Sequence, residues 1–148
     1  HGALHLGQVL RRPDGGLAVL DFDGDPQLSP AENDAPGPPE RDLAHLATSI
    51  DLAASVAQRR LGRAEPELFE RARRARESLL EGYRAEGGEA DEELINALSA
   101  ARLLAELGYA RRFLPRWRYA PDGVISHRFA IDPDLEEEPW SPPPSATT

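Results

Sequence analysis

Two short segments near the start of the chain concentrate side chains that can bind a metal ion or move a proton. The first is His-Gly-Ala-Leu-His-Leu-Gly-Gln at residues 1–8, and the second is Asp-Phe-Asp-Gly-Asp-Pro at residues 21–26. The three carboxylates of the second segment are acidic enough to share a cation, although aspartates beside glycine and proline also satisfy the backbone of turns. The paired histidines, His1 and His5, have the spacing of a helical zinc site, but Gly2 and Gly7 disfavour a helix there.

A β-hairpin is predicted between the two segments. Residues 8–11 and 17–20 are rich in apolar residues, and the Pro-Asp-Gly-Gly sequence at residues 13–16 suits a tight reversal. The hairpin would present Asp21 at the end of its second strand. Residues 26–40 contain five prolines among small polar residues, which predicts an exposed connecting loop without helix or strand.

Three helices are predicted over residues 41–114. Apolar residues recur at helical spacing until Gly62, a second stripe begins after Pro66 and stops at residues 87–88, and a third follows Asp91, a good N-cap. These stripes are wide enough to bury a shared core. The expected fold class is α+β, mainly α, with one domain over residues 1–131.

The end of the chain is predicted to be less regular. We expect residues 115–131 to form an extended segment and residues 132–148 to form a disordered tail, because an acidic, proline-rich sequence buries little apolar surface. Docking of Trp140 would change that expectation. The length of 148 residues allows one compact domain, and functional-looking residues at the first position suggest a fragment.

The composition excludes several classes of protein. A net charge of −9 opposes binding to nucleic acid, and the arginine-rich stretch at residues 71–76 has glutamate partners at helical spacing. The chain has neither an apolar run of membrane-spanning length nor a leader sequence. Cysteine is absent, which removes disulfides and fits a reducing compartment. We therefore expect a cytoplasmic protein without nucleic-acid or membrane partners.

The order of the motifs is similar to that of aminoglycoside phosphotransferase-like kinases. These have His-Gly-Asp-x-His-x-Gly followed by Asn or Gln, an apolar strand ending in Asp, then Gly-Asp-Pro and Asp-Leu-Ala. Residues 1–8, 21–26 and 41–44 follow this order, and the glutamine together with Asp-Phe-Asp-Gly resembles the maltokinase and glucosamine kinase branch. The resemblance implies part of the carboxyl-terminal lobe of a protein-kinase-like fold, Mg²⁺ and ATP as cofactors, and a sugar as acceptor.

The resemblance also assigns roles to single positions. Gln8 would supply an amide oxygen and Asp21 a carboxylate to magnesium, with Asp23 as a helper, because this cation prefers oxygen ligands. His1 would order its loop by hydrogen bonding. At position 3, where such kinases carry the aspartate that accepts the proton of the sugar hydroxyl, this chain has Ala3. A general base contributes on the order of 100- to 10,000-fold, so this loss implies an inactive chain.

A second stretch, residues 106–121, resembles a segment near the carboxyl end of glucosamine kinase-like proteins. Glu106 could pair with an amino group, and Trp117 could stack on a sugar ring. With His5 and Tyr109, these are the substrate-binding residues that the resemblance implies. The aromatic residues suit packing in a core equally well. The stretch favours an amino sugar such as glucosamine over maltose.

Three interpretations follow from the sequence. The chain is the carboxyl-terminal part of an ATP-dependent sugar phosphotransferase that is inactive alone, because the base and the nucleotide-binding lobe are missing. All 17 basic residues are arginine, so the phosphate-binding lysine of such a kinase would also lie elsewhere. Alternatively, it is a pseudokinase-like binding or interaction module. The third interpretation, an unrelated helical domain, requires the spacing of several motifs to be coincidental.

Overall fold

The computed structural model describes residues 1–25, 28–63 and 65–129. Over these ranges the fold is mainly helical with a small two-stranded sheet, which confirms the predicted α+β, mainly α class. The expectation of a disordered tail over residues 132–148, with Trp140, lies outside the described residues. The elements are a 3₁₀ turn (Leu6–Gln8), β1 (Val9–Arg11), β2 (Leu17–Val19), α1 (Pro30–Asp34), α2 (Glu40–Leu61), α3 (Pro66–Ala85), α4 (Glu92–Phe113), a second 3₁₀ turn (Pro115–Trp117) and α5 (Tyr119–Phe129).

The hairpin forms where the sequence predicted it. Strands β1 and β2 pair antiparallel with Val9 opposite Val19, and Gly15 takes the positive φ of 86° that the reversal requires. A further hydrogen bond joins the Leu20 amide to the Gln8 carbonyl at 2.9 Å. The hairpin therefore brings the residue after Leu20, Asp21, beside Gln8.

Local signals also set the ends of the long helices. Gly62 terminates α2 in the left-handed conformation, with φ of 66°. Pro66 occupies the first turn of α3, where its missing amide hydrogen costs nothing. The Asp91 carboxylate accepts hydrogen bonds from the amides of Glu93 and Leu94 and so caps α4. These three boundaries confirm the sequence prediction.

Helix α2 is the centre of the molecule, since it contacts α3, α4 and α5. Buried side chains of α2 belong to two separate apolar clusters. One contains Ala54, Phe69, Ala72, Leu103 and Val124, and the other contains Leu43, Ala44 and Ile95. No helix in the described ranges is both long and apolar enough to cross a membrane.

The expectation of an extended segment at residues 115–131 is wrong for its described part. Residues 119–129 form α5, although Pro121 and Gly123 lie within it. Pro121 is the third residue of the helix, where its nitrogen needs no hydrogen-bond partner. Ala120 and Val124 are fully buried, so the packing of α5 against α2 and α4 outweighs its weak local helix propensity.

The expectation that residues 26–40 form a connecting loop without helix or strand is wrong at Pro30–Asp34, which form α1. Ser29 caps α1 in a capping box with Glu32, and Pro30 occupies its first turn. Proline breaks a helix only beyond the first turn, so a high proline content does not exclude a single turn.

The arginine-rich face of α3 is mostly paired with glutamates of the same helix, as predicted. Arg71 lies 3.3 Å from Glu67, and Arg73 lies 2.6 Å from Glu70. Arg76 differs, because it turns inward to the buried Asp51 on α2 at 3.1 Å. The second oxygen of Asp51 lies 3.2 Å from Arg128 of α5, so one carboxylate ties three helices together.

The contact between α5 and α2 can be tested at Gly123. A Cβ atom there would lie 2.4 Å from the buried Ser55 hydroxyl, which donates to the Tyr119 carbonyl. We expect Gly123→Ala to lower the free energy of unfolding by about 1 kcal/mol, measured by urea denaturation, because overpacking outweighs the gain in helix propensity.

The matched control is Gly82→Ala in α3, where an added Cβ meets no atom within 4 Å. This replacement should raise the free energy of unfolding by about 0.5 to 1 kcal/mol. Equal stabilisation by both replacements would contradict the packing of α5 on α2.

Candidate active site

The loop at residues 1–5 is fixed to the start of α2 by one carboxylate. Asp42 Oδ2 accepts from the backbone nitrogen of His1 at 2.9 Å, and Oδ1 accepts from the amides of Gly2 at 2.9 Å and Leu4 at 3.5 Å. Helix α2 begins at Glu40 after Pro39, so Asp42 lies inside the first turn. Asp42 therefore does not cap the helix but anchors the loop to it.

His1 orders the same loop, as the resemblance implied. Its Nε2 lies 3.0 Å from the Leu20 carbonyl, and its ring lies 4.7 Å from that of Phe22. These contacts connect the loop to the segment after the hairpin. Residues 1–5 are not helical, and no group of three or more His, Cys, Asp or Glu side chains in the described part of the chain is arranged to hold a metal ion.

Gln8 and Asp21 meet at the base of the hairpin. The buried Gln8 amide accepts from the His5 backbone through Oε1 at 3.0 Å and donates to Asp21 Oδ2 through Nε2 at 3.3 Å. Asp21 is exposed and has a φ of 64°, a conformation in which a Cβ atom is strained. Strain of this kind is found at functional sites.

The donor set suits a hard cation. The Asp21 carboxylate is accessible, and the Gln8 amide oxygen keeps a second lone pair beyond its bond to His5. Asp23 is also exposed and lines, with Asp21 and the buried Asp25, a shallow cavity of about 400 Å³. Gln8 and Asp21 therefore offer two oxygen donors of the kind that magnesium prefers.

A second cavity, of about 480 Å³, lies between the loop, α2 and α4. We call it the main pocket. It brings together Ala3 and His5 from the loop, Glu106 from α4 and Trp117 from the second 3₁₀ turn. Four residues that the sequence analysis singled out separately thus share one pocket. Its wall on α2 includes two buried atoms, His45 Nδ1 and Thr48 Oγ1, that have no hydrogen-bond partner among the described residues.

Tyr109 is the predicted substrate residue that does not reach this pocket. Its ring lies 5.0 Å from that of Phe113 on the same helix. Phe113 lies four residues after Tyr109 on α4, and side chains at this spacing lie on the same face of a helix. For Tyr109 the packing interpretation is therefore the better one.

Arg102 is the main residue that the sequence analysis missed. Its Nη1 donates to Asp25 Oδ2 at 2.8 Å, and its Nη2 donates to Glu106 Oε1 at 2.6 Å. Asp25 side-chain exposure is only 8%, and that of Arg102 is 20%. The i, i+4 spacing of Arg102 and Glu106 was visible in the sequence, but the link to Asp25 spans 77 positions.

His45 lies beside this ion-pair cluster. Burial lowers the pKa of its imidazole to about 4, and the positive charges of Arg102 and Arg41 act in the same direction. Asp42 and Asp25 oppose the shift. His45 is therefore neutral near pH 7 and adds no positive charge to the pocket.

The structure resembles part of a sugar kinase. A solved glucosamine kinase in complex with glucosamine, ADP and inorganic phosphate superposes with a TM-score of 0.77 at 33% identity, over 86% of this chain and 32% of that one. A second glucosamine kinase structure, crystal form B, also gives 0.77.

In sequence the similarity is to glucosamine kinases as well. The chain is 36% identical over 131 residues to that of Mycolicibacterium smegmatis, and 34% identical over 129 residues to that of Streptacidiphilus jiangxiensis. These matches cover 84% and 82% of this chain but 33% and 29% of the relatives, so the chain spans about a third of their length. No family model matches. In sequence and fold the chain is glucosamine kinase-like.

The strain at Asp21 predicts an unusual order of stabilities. Asp21→Gly should be more stable than Asp21→Ala by about 1 kcal/mol in urea denaturation, because glycine adopts a positive φ without cost. Asp23 has no positive φ and serves as the control, so Asp23→Gly should not be more stable than Asp23→Ala. If the glycine variant were more stable than the alanine variant at both positions, backbone strain specific to Asp21 would be contradicted.

The lowered pKa of His45 predicts a pH-dependent stability. An unfolded histidine binds its proton near pH 6.5, whereas folded His45 binds it only near pH 4. Between these values the unfolded state holds more protons, so the free energy of unfolding should fall as the pH falls through this window. NMR titration should place the His45 midpoint near 4, and His45→Gln should flatten the slope. A midpoint near 6.5 would contradict the buried, neutral state.

Proposed function

We propose that the chain is the metal- and acceptor-binding part of an ATP-dependent sugar phosphotransferase, with an amino sugar such as glucosamine as acceptor. The main pocket carries this proposal, because it joins residue 3, His5, Glu106 and Trp117 in one cavity. The glucosamine bound in a structural neighbour supports this choice of sugar over maltose.

The pocket suits a hydroxyl-rich, cationic ligand. Trp117 offers an aromatic face to a sugar ring, and Glu106 offers a carboxylate to its ammonium group. His45 and Thr48 add polar side chains to the wall of the pocket. Their Nδ1 and Oγ1 atoms are buried, so a sugar hydroxyl would reach them only after these side chains move. All of these side chains belong to this chain.

Mg²⁺ and ATP, when bound, would supply the phosphoryl group and neutralise its charge. Gln8 and Asp21 would hold the cation, with Asp23 beside them. The Asp42 and His1 contacts would hold the loop so that residue 3 faces the acceptor. Ala3 has no group that can take the hydroxyl proton, so the chain would bind and orient the acceptor without activating it.

The ATP-binding lobe would be supplied by residues outside this chain. The hairpin offers such a lobe an apolar surface, since Leu10, Leu17 and Phe22 are 53%, 67% and 69% exposed. Ala3 also supports the second candidate, a pseudokinase-like module that binds ligands without turnover.

A chimera tests whether the chain belongs to a sugar kinase that lacks only its catalytic base. This chain would replace the matching third of the Mycolicibacterium smegmatis glucosamine kinase, which it resembles over 131 residues. We expect the chimera with Ala3 to be nearly inactive and Ala3→Asp to raise kcat for ATP-dependent phosphorylation of glucosamine by about 100-fold or more. The measurement is ADP release coupled to a dehydrogenase.

The control is Ala3→Asn, which has nearly the size of aspartate but cannot accept the proton. It should stay as inactive as Ala3, while circular dichroism shows all three chimeras folded. A folded Ala3→Asp chimera without activity on any sugar would contradict the kinase proposal. Full activity with Ala3 would contradict the role of position 3.

A further inference from the structure

Three charged side chains form one cluster at the edge of the main pocket, in which Asp25 is buried and Arg102 and Glu106 are partly buried. Arg102 contacts Asp25 at 2.8 Å and Glu106 at 2.6 Å, so two carboxylates share one guanidinium. Among the described residues, the cluster therefore has two carboxylates for one guanidinium. Asp25 does not line the main pocket, whereas Arg102 and Glu106 do.

Because Arg102 contacts both Asp25 and Glu106, it affects how much negative charge Glu106 presents to a ligand. A carboxylate paired with its own arginine is neutralised locally and attracts an ammonium group weakly. Because Arg102 is also bound to Asp25, its positive charge cannot fully compensate Glu106. The excess negative charge would then be available at the pocket.

We propose that Asp25 is a specificity-determining residue: through Arg102 it keeps the main pocket negative, and so selects an acceptor sugar that carries an ammonium group over its neutral counterpart. This rests on the proposed function. Asp25 acts without touching the sugar, so it is a positioning and charge-setting residue.

The neighbouring charges leave this balance intact. Around His45, which stays neutral near pH 7, Arg41 and Asp42 contribute one charge of each sign. Arg60 also lines the main pocket but is exposed, so water and salt screen its charge. Asp25 is held in place by its backbone, which exchanges hydrogen bonds with the Asn33 side chain at 2.9 and 3.0 Å.

The test compares glucosamine and glucose, which differ in one ammonium group. Their affinities would be measured on this chain by NMR titration of the Trp117 indole resonance at about pH 6.5, where the amine is protonated. Asp25→Asn removes the remote charge and retains the size of the side chain. We expect glucosamine affinity to fall about tenfold, with less than a twofold change for glucose.

A charge-restoring variant separates this role from a structural one. Asp25→Asn combined with Arg102→Met leaves Glu106 as the only charge of the cluster, so the wild-type preference for glucosamine should return. A merely structural role would not give this recovery. Should Asp25→Asn alone fail to fold, the double variant still tests the charge balance by comparison with the unsubstituted chain.

Asp34→Asn is the matched control, because it makes the same change in net charge at an exposed residue of α1. It should leave both affinities unchanged. Equal weakening of both sugars by Asp25→Asn, or no recovery in the double variant, would overturn the inference alone. If the unsubstituted chain shows no preference for glucosamine, the proposed amino-sugar function fails and the inference with it.

Discussion

The Asp42 carboxylate is the constraint on which the candidate site depends. The loop before the hairpin has no helix or strand over residues 1–5, and the amides of Gly2 and Leu4 donate to this one side chain. Because Asp42 lies in the first turn of the central helix, the loop takes its position from the most extensively packed element of the molecule. Charge-assisted hydrogen bonds to backbone amides are strong enough to define such a loop. Residue 3, Gln8 and Asp21 are all placed from this anchor.

The cluster around Arg102 makes a second connection, between the turn after the hairpin and the pocket on α4. Asp25 follows Asp21 and Asp23, the residues proposed to bind magnesium, and Glu106 lines the pocket. The two sides of the proposed reaction centre are thus joined by one guanidinium. The pocket has this arrangement with Ala3, whose side chain cannot accept a proton, at its edge.

Prediction from sequence worked where the deciding physics is local. The hairpin turn, the left-handed Gly62, Pro66 and the Asp91 cap each act within a few residues of their own position. It was wrong for α5, where Pro121 and Gly123 weaken local propensity and burial of Ala120 and Val124 decides the conformation. It also treated Tyr109 and Trp117 alike, although only Trp117 lines the main pocket. Which aromatic side chain faces a cavity depends on how the helices pack.

The sequence by itself determined the order of the motifs, the resemblance to sugar kinases and the presence of alanine at position 3, because these are properties of residue type and spacing. Only the tertiary structure decided that Ala3, His5, Glu106 and Trp117 share one pocket, that Asp42 holds the loop and that Arg102 links Asp25 to Glu106. The Gly2–Asp42 hydrogen bond spans 40 positions and the Asp25–Arg102 hydrogen bond spans 77, and no local propensity encodes such separations. They exist because α2 and α4 pack against each other and bury the polar groups between them.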